Sequence, residues 1–208
     1  MELLRIPVGP HRTNSYVLFC DRTHSLLVDP GGDAATLIAA TAGTRLSAIL
    51  LTHGHRDHTA ALVELHLATG APIGAHPLDA ALLPIPPTIE LRDGQVVRFG
   101  GCQVLAHHLP GHTPGSVGLE LSQDLWLVGD TVFPGGPGHT DSPAQFAQLL
   151  QTLWQHIFTL PAKTQLLPGH GPATTVGDEA EPFHTFLQRG WAEDAYGDVQ
   201  WESRPGRR

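Results

Sequence analysis

Residues 47–60 read SAILLTHGHRDHTA, and the rest of the chain is best understood outward from them. SAILL suits a short buried strand. His53, His55, Asp57 and His58 follow at once, in a connection leading into a helical pattern, TAALVELHLATG (59–70). Alternate side chains on an extended segment point the same way, so His53 and His55 converge on one ion. Asp57 and His58 come where the chain turns into the helix, and face a second ion beside the first. Imidazole and carboxylate are the ligands expected for divalent zinc, iron or manganese. A lone histidine in a chain with 14 is usually a surface or satisfied core residue, and His11, His24, His66, His76, His107, His156 and His184 are read that way. Three histidines and an aspartate between positions 53 and 58, at the mouth of a strand, are read as a metal site.

Three more segments extend the set. LPGHTPGSVGLEL (109–121) presents His112 between glycines and prolines just before a strand. LWLVGDTVF (125–133) ends an apolar strand with Gly129 and then Asp130, a carboxylate able to bridge two ions. QLLPGHGPATT (165–175) puts His170 after another short apolar strand. Each alone is a modest clue, because an aspartate after a strand is often a structural hydrogen-bonding residue. Together with His53, His55, Asp57 and His58, the residues His112, Asp130 and His170 make a nitrogen and oxygen donor set large enough for two metals. No serine or cysteine stands out as a nucleophile; Thr113 and Ser116 read as loop and strand-start residues.

The remainder of the chain frames this site. Further strands are expected at YVLFC (16–20), SLLVD (25–29), APIGAH (71–76), QVVRF (95–99) and CQVLAH (102–107). Helical spacing appears at 33–43, 142–158 and 178–190, with Ser142 as a cap before Pro143 and with Pro182 blurring the start of the last helix. Strands and helices interleave without strict alternation, which predicts a layered α/β fold with sheets inside and helices outside. The 208 residues suffice for one domain, 1–208, with no separate C-terminal substrate-binding domain. A formal charge of −8 argues against a nucleic-acid partner, since phosphate neutralisation needs a basic face. No stretch approaches a membrane span, MELLRIPVGP lacks the form of a secretion signal, and a cytoplasmic protein acting on a small molecule is expected. Cys20 and Cys102 lie in apolar, strand-like stretches and are read as two small core residues. Trp191, Tyr196 and Trp201 in the tail are read as docking it onto the body, and the last few residues are the one part expected to lack order.

The motifs THGHRDH, PGHTPG, GDTVF and PGHGP, together with LLVDPGG (26–32), resemble those of the metallo-β-lactamase superfamily in its glyoxalase II-like, short single-domain branch. The resemblance implies a four-layer αββα sandwich with metals at one edge of the two sheets. It assigns His53, His55 and His112 to one ion, Asp57, His58 and His170 to the other, and Asp130 to both, with Asp29 structural. It implies two divalent cations, zinc before iron or manganese, and a hydrolase in which Asp57 also orients the attacking water. Thioesters or activated esters and lactones suit such a site better than amides, because a thiol with a pKa near 8.5 leaves without a proton donor. The carrier thiol is left open: PGGPGHTDS (134–142) stands where longer glyoxalase II enzymes carry lysine and tyrosine, and Lys163 is the chain's one lysine. The alternative is a mononuclear iron persulfide dioxygenase on the same scaffold, using the residues at His53, His112 and Asp130.

Overall fold

The computed structural model describes residues 1–202, so the closing residues expected to lack order lie outside the described ones. The first half of the chain builds one six-stranded sheet: β1 (Glu2–Val8), β2 (Thr13–Phe19), β3 (His24–Val28), β4 (Arg45–Leu50), β5 (Ile73–Ala75) and β6 (Ile89–Glu90), side by side in that order. The β1–β2–β3 portion is antiparallel, and β3 to β6 run parallel. The second half supplies β7 (Val96–Phe99), β8 (Cys102–His108), β9 (Val117–Ser122) and β10 (Leu125–Gly129). A small hairpin, β11 (Val132–Phe133) and β12 (Gly136–Pro137), precedes β13 (Gln165–Pro168) and β14 (Thr174–Thr175). The second sheet has the order β14-β13-β10-β9-β8-β7.

The alternation of side chains explains why the two sheets stack. In β3, Leu26 and Val28 face the second sheet while Leu27 faces helices; in β4, Ala48 and Leu50 face inward and Ile49 outward. From the second sheet, Val104, Ala106, Leu119 and Leu127 meet them in the same core. Both faces of the central strands are therefore apolar, as expected for strands covered on two sides.

Helices α1 (Ala34–Thr41) and α3 (Leu62–Thr69) cover the first sheet through Leu37, Leu62 and Leu65, with the four-residue α2 (Arg56–Thr59) leading into α3. Helices α4 (Pro143–Thr152) and α5 (Val176–Arg189) cover the second sheet through Phe146, Leu149, Phe183 and Phe186. The result is the expected αββα sandwich.

Local chemistry sets the helix boundaries. Ser142 Oγ accepts from Gln145 N–H and Pro143 is the first residue of α4, as its sequence suggests. Thr175 Oγ1 accepts from Asp178 N–H and starts α5 at Val176, so Pro182 falls inside the helix. Strand β1 has no counterpart among the expected elements. It is a half-exposed edge strand carrying Glu2, Arg5 and Pro7, so it shows no apolar run, and an edge is where proline is tolerated.

One expectation is overturned. Cys20 and Cys102 are not free core thiols: they form a disulfide between sequence positions 82 apart, with a Cα–Cα distance of 5.5 Å. The bond ties the end of β2 to the start of β8, one cysteine from each sheet. In the chain-entropy view, closing a loop of that length removes unfolded-state freedom worth about 4.5 kcal/mol.

The tail docks as expected at Trp201, which is buried among Phe158, Phe183 and Phe186 and donates from Nε1 to Glu179 Oε2 at 2.9 Å. Trp191 stacks on Phe186, whereas Tyr196 remains exposed. Among the described residues, no helix is long and apolar enough to cross a membrane.

Candidate metal centre

Asp29 lies just beyond the end of β3, with a backbone φ of 52°, and its side chain organises the loop after β4. Its Oδ1 accepts from Thr52 N–H at 2.7 Å, and its Oδ2 accepts from Thr52 Oγ1 at 2.6 Å and from His58 Nδ1 at 2.9 Å. With its proton committed to Asp29, Thr52 Oγ1 is left to accept from His53 Nδ1, 3.1 Å away. His53 and His58 are both buried, and each is held by Nδ1 so that Nε2 turns inward.

The other loops repeat this device. His112 donates from Nδ1 to the His139 carbonyl at 2.7 Å, and His170 donates from Nδ1 to the His11 carbonyl at 3.2 Å. The loop carrying His170 is also anchored on the first sheet: Asn14 Nδ2 donates to the carbonyls of Pro168 and Gly171, and Tyr16 Oη donates to that of Pro168.

These anchors bring all seven sequence-selected residues together. His112 Nε2 lies 3.2 Å from His53 Nε2 and 2.9 Å from His55 Nδ1. Ligands at corners of a tetrahedron about 2.0–2.1 Å from zinc are about 3.3 Å apart, so this spacing is close to that of a coordinated set. On the other side, His170 Nε2 lies 3.1 Å from Asp57 Oδ2 and 3.2 Å from His58 Nε2. Asp130 stands between the groups, 3.4 Å from His58 Nε2, 3.5 Å from His170 Nε2 and 3.8 Å from His112 Nε2. Three clusters could each hold a metal: His53, His55 and His112; Asp57, His58 and His170; and His53, His58 and Asp130.

The donor set fits cations on an independent ground. Asp130 Oδ1 is buried and accepts no hydrogen bond, with His58 Nε2 at an ion-pair distance of 3.4 Å, and a poorly met buried acceptor costs free energy. A divalent ion beside His53 and His58 would meet it.

The electrostatics of the metal-free site divide its histidines into two neutral donors, His53 and His112, and two, His58 and His170, that must shed a proton to bind a metal. Burial pushes the His53 imidazole well below its ordinary pKa, with the neighbouring histidines adding to the effect, and burial likewise lowers His112. Both are thus neutral donors at pH 7. Burial opposes a charge on His58 as well, but Asp29 and Asp130 overcome it and hold its pKa at about 10. The hydrogen bond between His170 and Asp57 raises the histidine and holds the carboxyl well below the usual carboxylate range. Burial works against ionisation of Asp130, yet the facing histidines keep its pKa low.

These shifts predict how protein stripped of metal responds to pH. His58 and His170, raised in the folded state, stabilise it fully below the unfolded value near 6.5, and that stabilisation is lost as pH climbs toward about 10. His53 and His112, lowered in the folded state, favour unfolding as pH falls below about 6.5. The melting temperature of the stripped protein is therefore expected to peak at about pH 6–7 and to fall on both sides. A steady rise from about pH 5 to pH 9 would show that these groups are not so placed.

A cleft of about 310 Å³ opens beside Asp130, lined by the Phe133–Pro137 turn, His139 and tail residues 198–200. His139 is about half exposed there, its Nδ1 2.9 Å from Asp198 and its Nε2 3.5 Å from Asp141. The tail thus both docks and forms part of the rim.

The fold and the converging donors match a known family. The metallo-beta-lactamase superfamily matches residues 8–170, all of the site included. The chain belongs to this superfamily. Within the superfamily, hydroxyacylglutathione hydrolase GloC of Haemophilus influenzae is 30% identical over 207 residues, covering 88% of this chain and 98% of that protein. TTHA1623, solved in a di-iron-bound form, has a TM-score of 0.74 and 35% identity, covering 85% of this chain and 96% of that one. The BLEG-1 B3 metallo-beta-lactamase has a TM-score of 0.80 and 30% identity, covering 86% of this chain and 97% of that one. Superfamily membership makes the chain a metallo-hydrolase-type protein with a histidine and aspartate donor set for divalent metals.

Two parts of this centre have no sequence signal of their own. Asp79, from PLDAAL, reaches the loops of His53 and His112 from a distant turn. Thr113 and Ser116, expected as plain loop and strand-start residues, belong to the same buried hydrogen-bond group.

Proposed function

We propose that this chain is a single-domain dinuclear hydrolase that cleaves thioesters of the hydroxyacyl-thiol kind, or similarly activated esters and lactones, with zinc as the first choice of metal. The observation that carries this reading is Asp130, a part-buried carboxylate within 3.8 Å of histidines from both groups, whose buried Oδ1 accepts no hydrogen bond. His53, His55 and His112 would hold one ion, Asp57, His58 and His170 the other, and Asp130 both. When bound, such ions acidify water and polarise a carbonyl oxygen.

The chain's own residues do the rest. Asp57 is ionised and held toward the centre by His170, so its carboxylate can accept a hydrogen bond from the attacking water and aim it. The cleft beside Asp130 would take the substrate, with the Phe133–Pro137 turn and the tail as its walls. Among the described residues, Thr113 Oγ1 bonds to Asp79 and to Ser116 Oγ and both cysteines are bridged, so none of these four competes as nucleophile. His139, the histidine lining the cleft, is engaged by two carboxylates, so leaving groups that depart unprotonated suit the site best. Thiolates do; amines do not. Support for the thioester class also comes from the likeness to GloC over nearly the whole chain. We also place the protein in the cytoplasm, where disulfides such as Cys20–Cys102 are uncommon.

A second reading has one observation in its favour. His53 and His112 with Asp130 make a two-histidine, one-carboxylate set of the kind that holds a single non-haem iron. That reading is a persulfide dioxygenase. The two separate in one assay on metal-replete protein. Hydrolysis predicts free thiol released from S-lactoyl thioesters with no oxygen consumed; oxygen uptake on adding a persulfide, without thioester cleavage, would replace the first reading with the second.

A further inference from the structure

We propose that Asp79 is a positioning residue for the three-histidine half of the centre, complementing Asp29, which holds His58 directly and His53 through Thr52. It sits in the short helical turn Pro77–Leu82, is fully buried, and touches none of the metal-ligand side chains through its carboxylate. Its Oδ1 accepts from Gly115 N–H at 2.8 Å; its Oδ2 accepts from Gly54 N–H and from Thr113 Oγ1, both at 2.8 Å. Among the described residues, no cationic side chain forms an ion pair with it.

The placement of those three donors is what assigns the role. Gly54 lies between His53 and His55, Thr113 directly follows His112, and Gly115 closes the same loop. One buried carboxylate therefore clamps together the two loops that carry His53, His55 and His112. Buried carboxylates are disfavoured unless their lone pairs are met, so the loops must approach closely for Asp79 to be tolerated. Neither loop has slack. A Cβ at Gly115 would lie 2.5 Å from Asp79 Oδ1, and one at Gly54 would lie 2.8 Å from Leu82 Cβ and 3.2 Å from the Asp79 carbonyl oxygen. Asp29 makes the parallel arrangement for His53 and His58, through Thr52 and by direct contact. The two aspartates thus hold the site from opposite sides, and the spacing of 2.9–3.2 Å among the three ring nitrogens depends on Asp79.

The inference rests on the assignment of His53, His55 and His112 to one ion, not on the substrate. Its test is metal binding by the full chain. Zn²⁺ is titrated against a competing chelator, with the halves separated by His170→Ala, which leaves the three-histidine half, and His55→Ala, which leaves the other. Asp79→Asn is expected to raise the dissociation constant of the three-histidine half about 10- to 100-fold, in line with the loss of residues that orient ligands. The other half should stay within about threefold. The visible spectrum of Co²⁺ in the three-histidine half should also change. Equal weakening of both halves, or of neither, would overturn the proposal. If Asp79→Asn does not fold, Thr113→Val removes one of the three donors at constant shape; it should weaken the same half selectively, and unchanged binding would overturn the proposal equally. Wild-type protein that binds two ions but cleaves no thioester would end the substrate reading and leave this one standing. Unaltered metal binding in Asp79→Asn would do the reverse.

Discussion

Replacing Asp130 with alanine is expected to lower kcat by about 10³-fold or more, equivalent to roughly 4 kcal/mol of transition-state stabilisation, while leaving a folded protein. The size follows from position. Asp130 follows β10 directly and lies within reach of His58, His170 and His112, which no other described carboxylate does. Its removal would take one anionic donor from both ions at once and let them repel each other across the gap. The fold should survive, because Val128 and Trp126, the β10 side chains that face α4 and α5, are untouched. The checks are kcat on a thioester, metal content and the circular dichroism spectrum of the same preparation. A variant that keeps both ions and turns over within about tenfold of wild type would remove the bridging role from Asp130.

Gly169→Ala is expected to be nearly as damaging, although it deletes no ligand. A Cβ at this position would overlap Asp130 Oδ1 and lie 2.5 Å from His58 Cε1. The backbone cannot retreat: Gly169 N–H donates to the Gly129 carbonyl at 2.9 Å, and the Gly169 carbonyl accepts from Asn14 N–H at 2.7 Å. The added methyl group must therefore push Asp130 or His58 off its position, and misplacement of about 1 Å in such a site can cost about 100-fold in rate. We expect at least that loss in kcat together with weaker binding of one ion. Normal kcat and two tightly held ions in Gly169→Ala would mean that Asp130 and His58 do not sit where they are described.

What could be read from the sequence follows a physical division. The seven residues that the fold brings together were legible because five stand in loops next to glycine, proline or a turn, because Asp57 and His58 follow in the short helix α2, and because four of the seven crowd into positions 53–58. The central strands were legible for a related reason: both faces are buried, so 25–29, 47–52 and 124–130 read as unbroken apolar runs. Strand β1 was not, since an edge strand with one wet face leaves no such run. The Cys20–Cys102 bond was hidden because its partners belong to different sheets, and which strand ends meet is decided only when the two apolar faces stack. Asp79 was hidden for the same reason. It lies 25 residues beyond Gly54 and 34 before Thr113, in a turn whose sequence resembles any helix start. Ligand types can be inferred from composition and spacing; the residues that aim them are revealed by packing.

The proposed function requires two cations to share one carboxylate, Asp130, at the edge of the stacked sheets. Elemental analysis of untagged protein, loaded with excess Zn²⁺ and then freed of unbound metal, tests it most directly. About two ions per chain are expected, falling to about one in His170→Ala. One ion or none in the wild-type protein would contradict the proposed function.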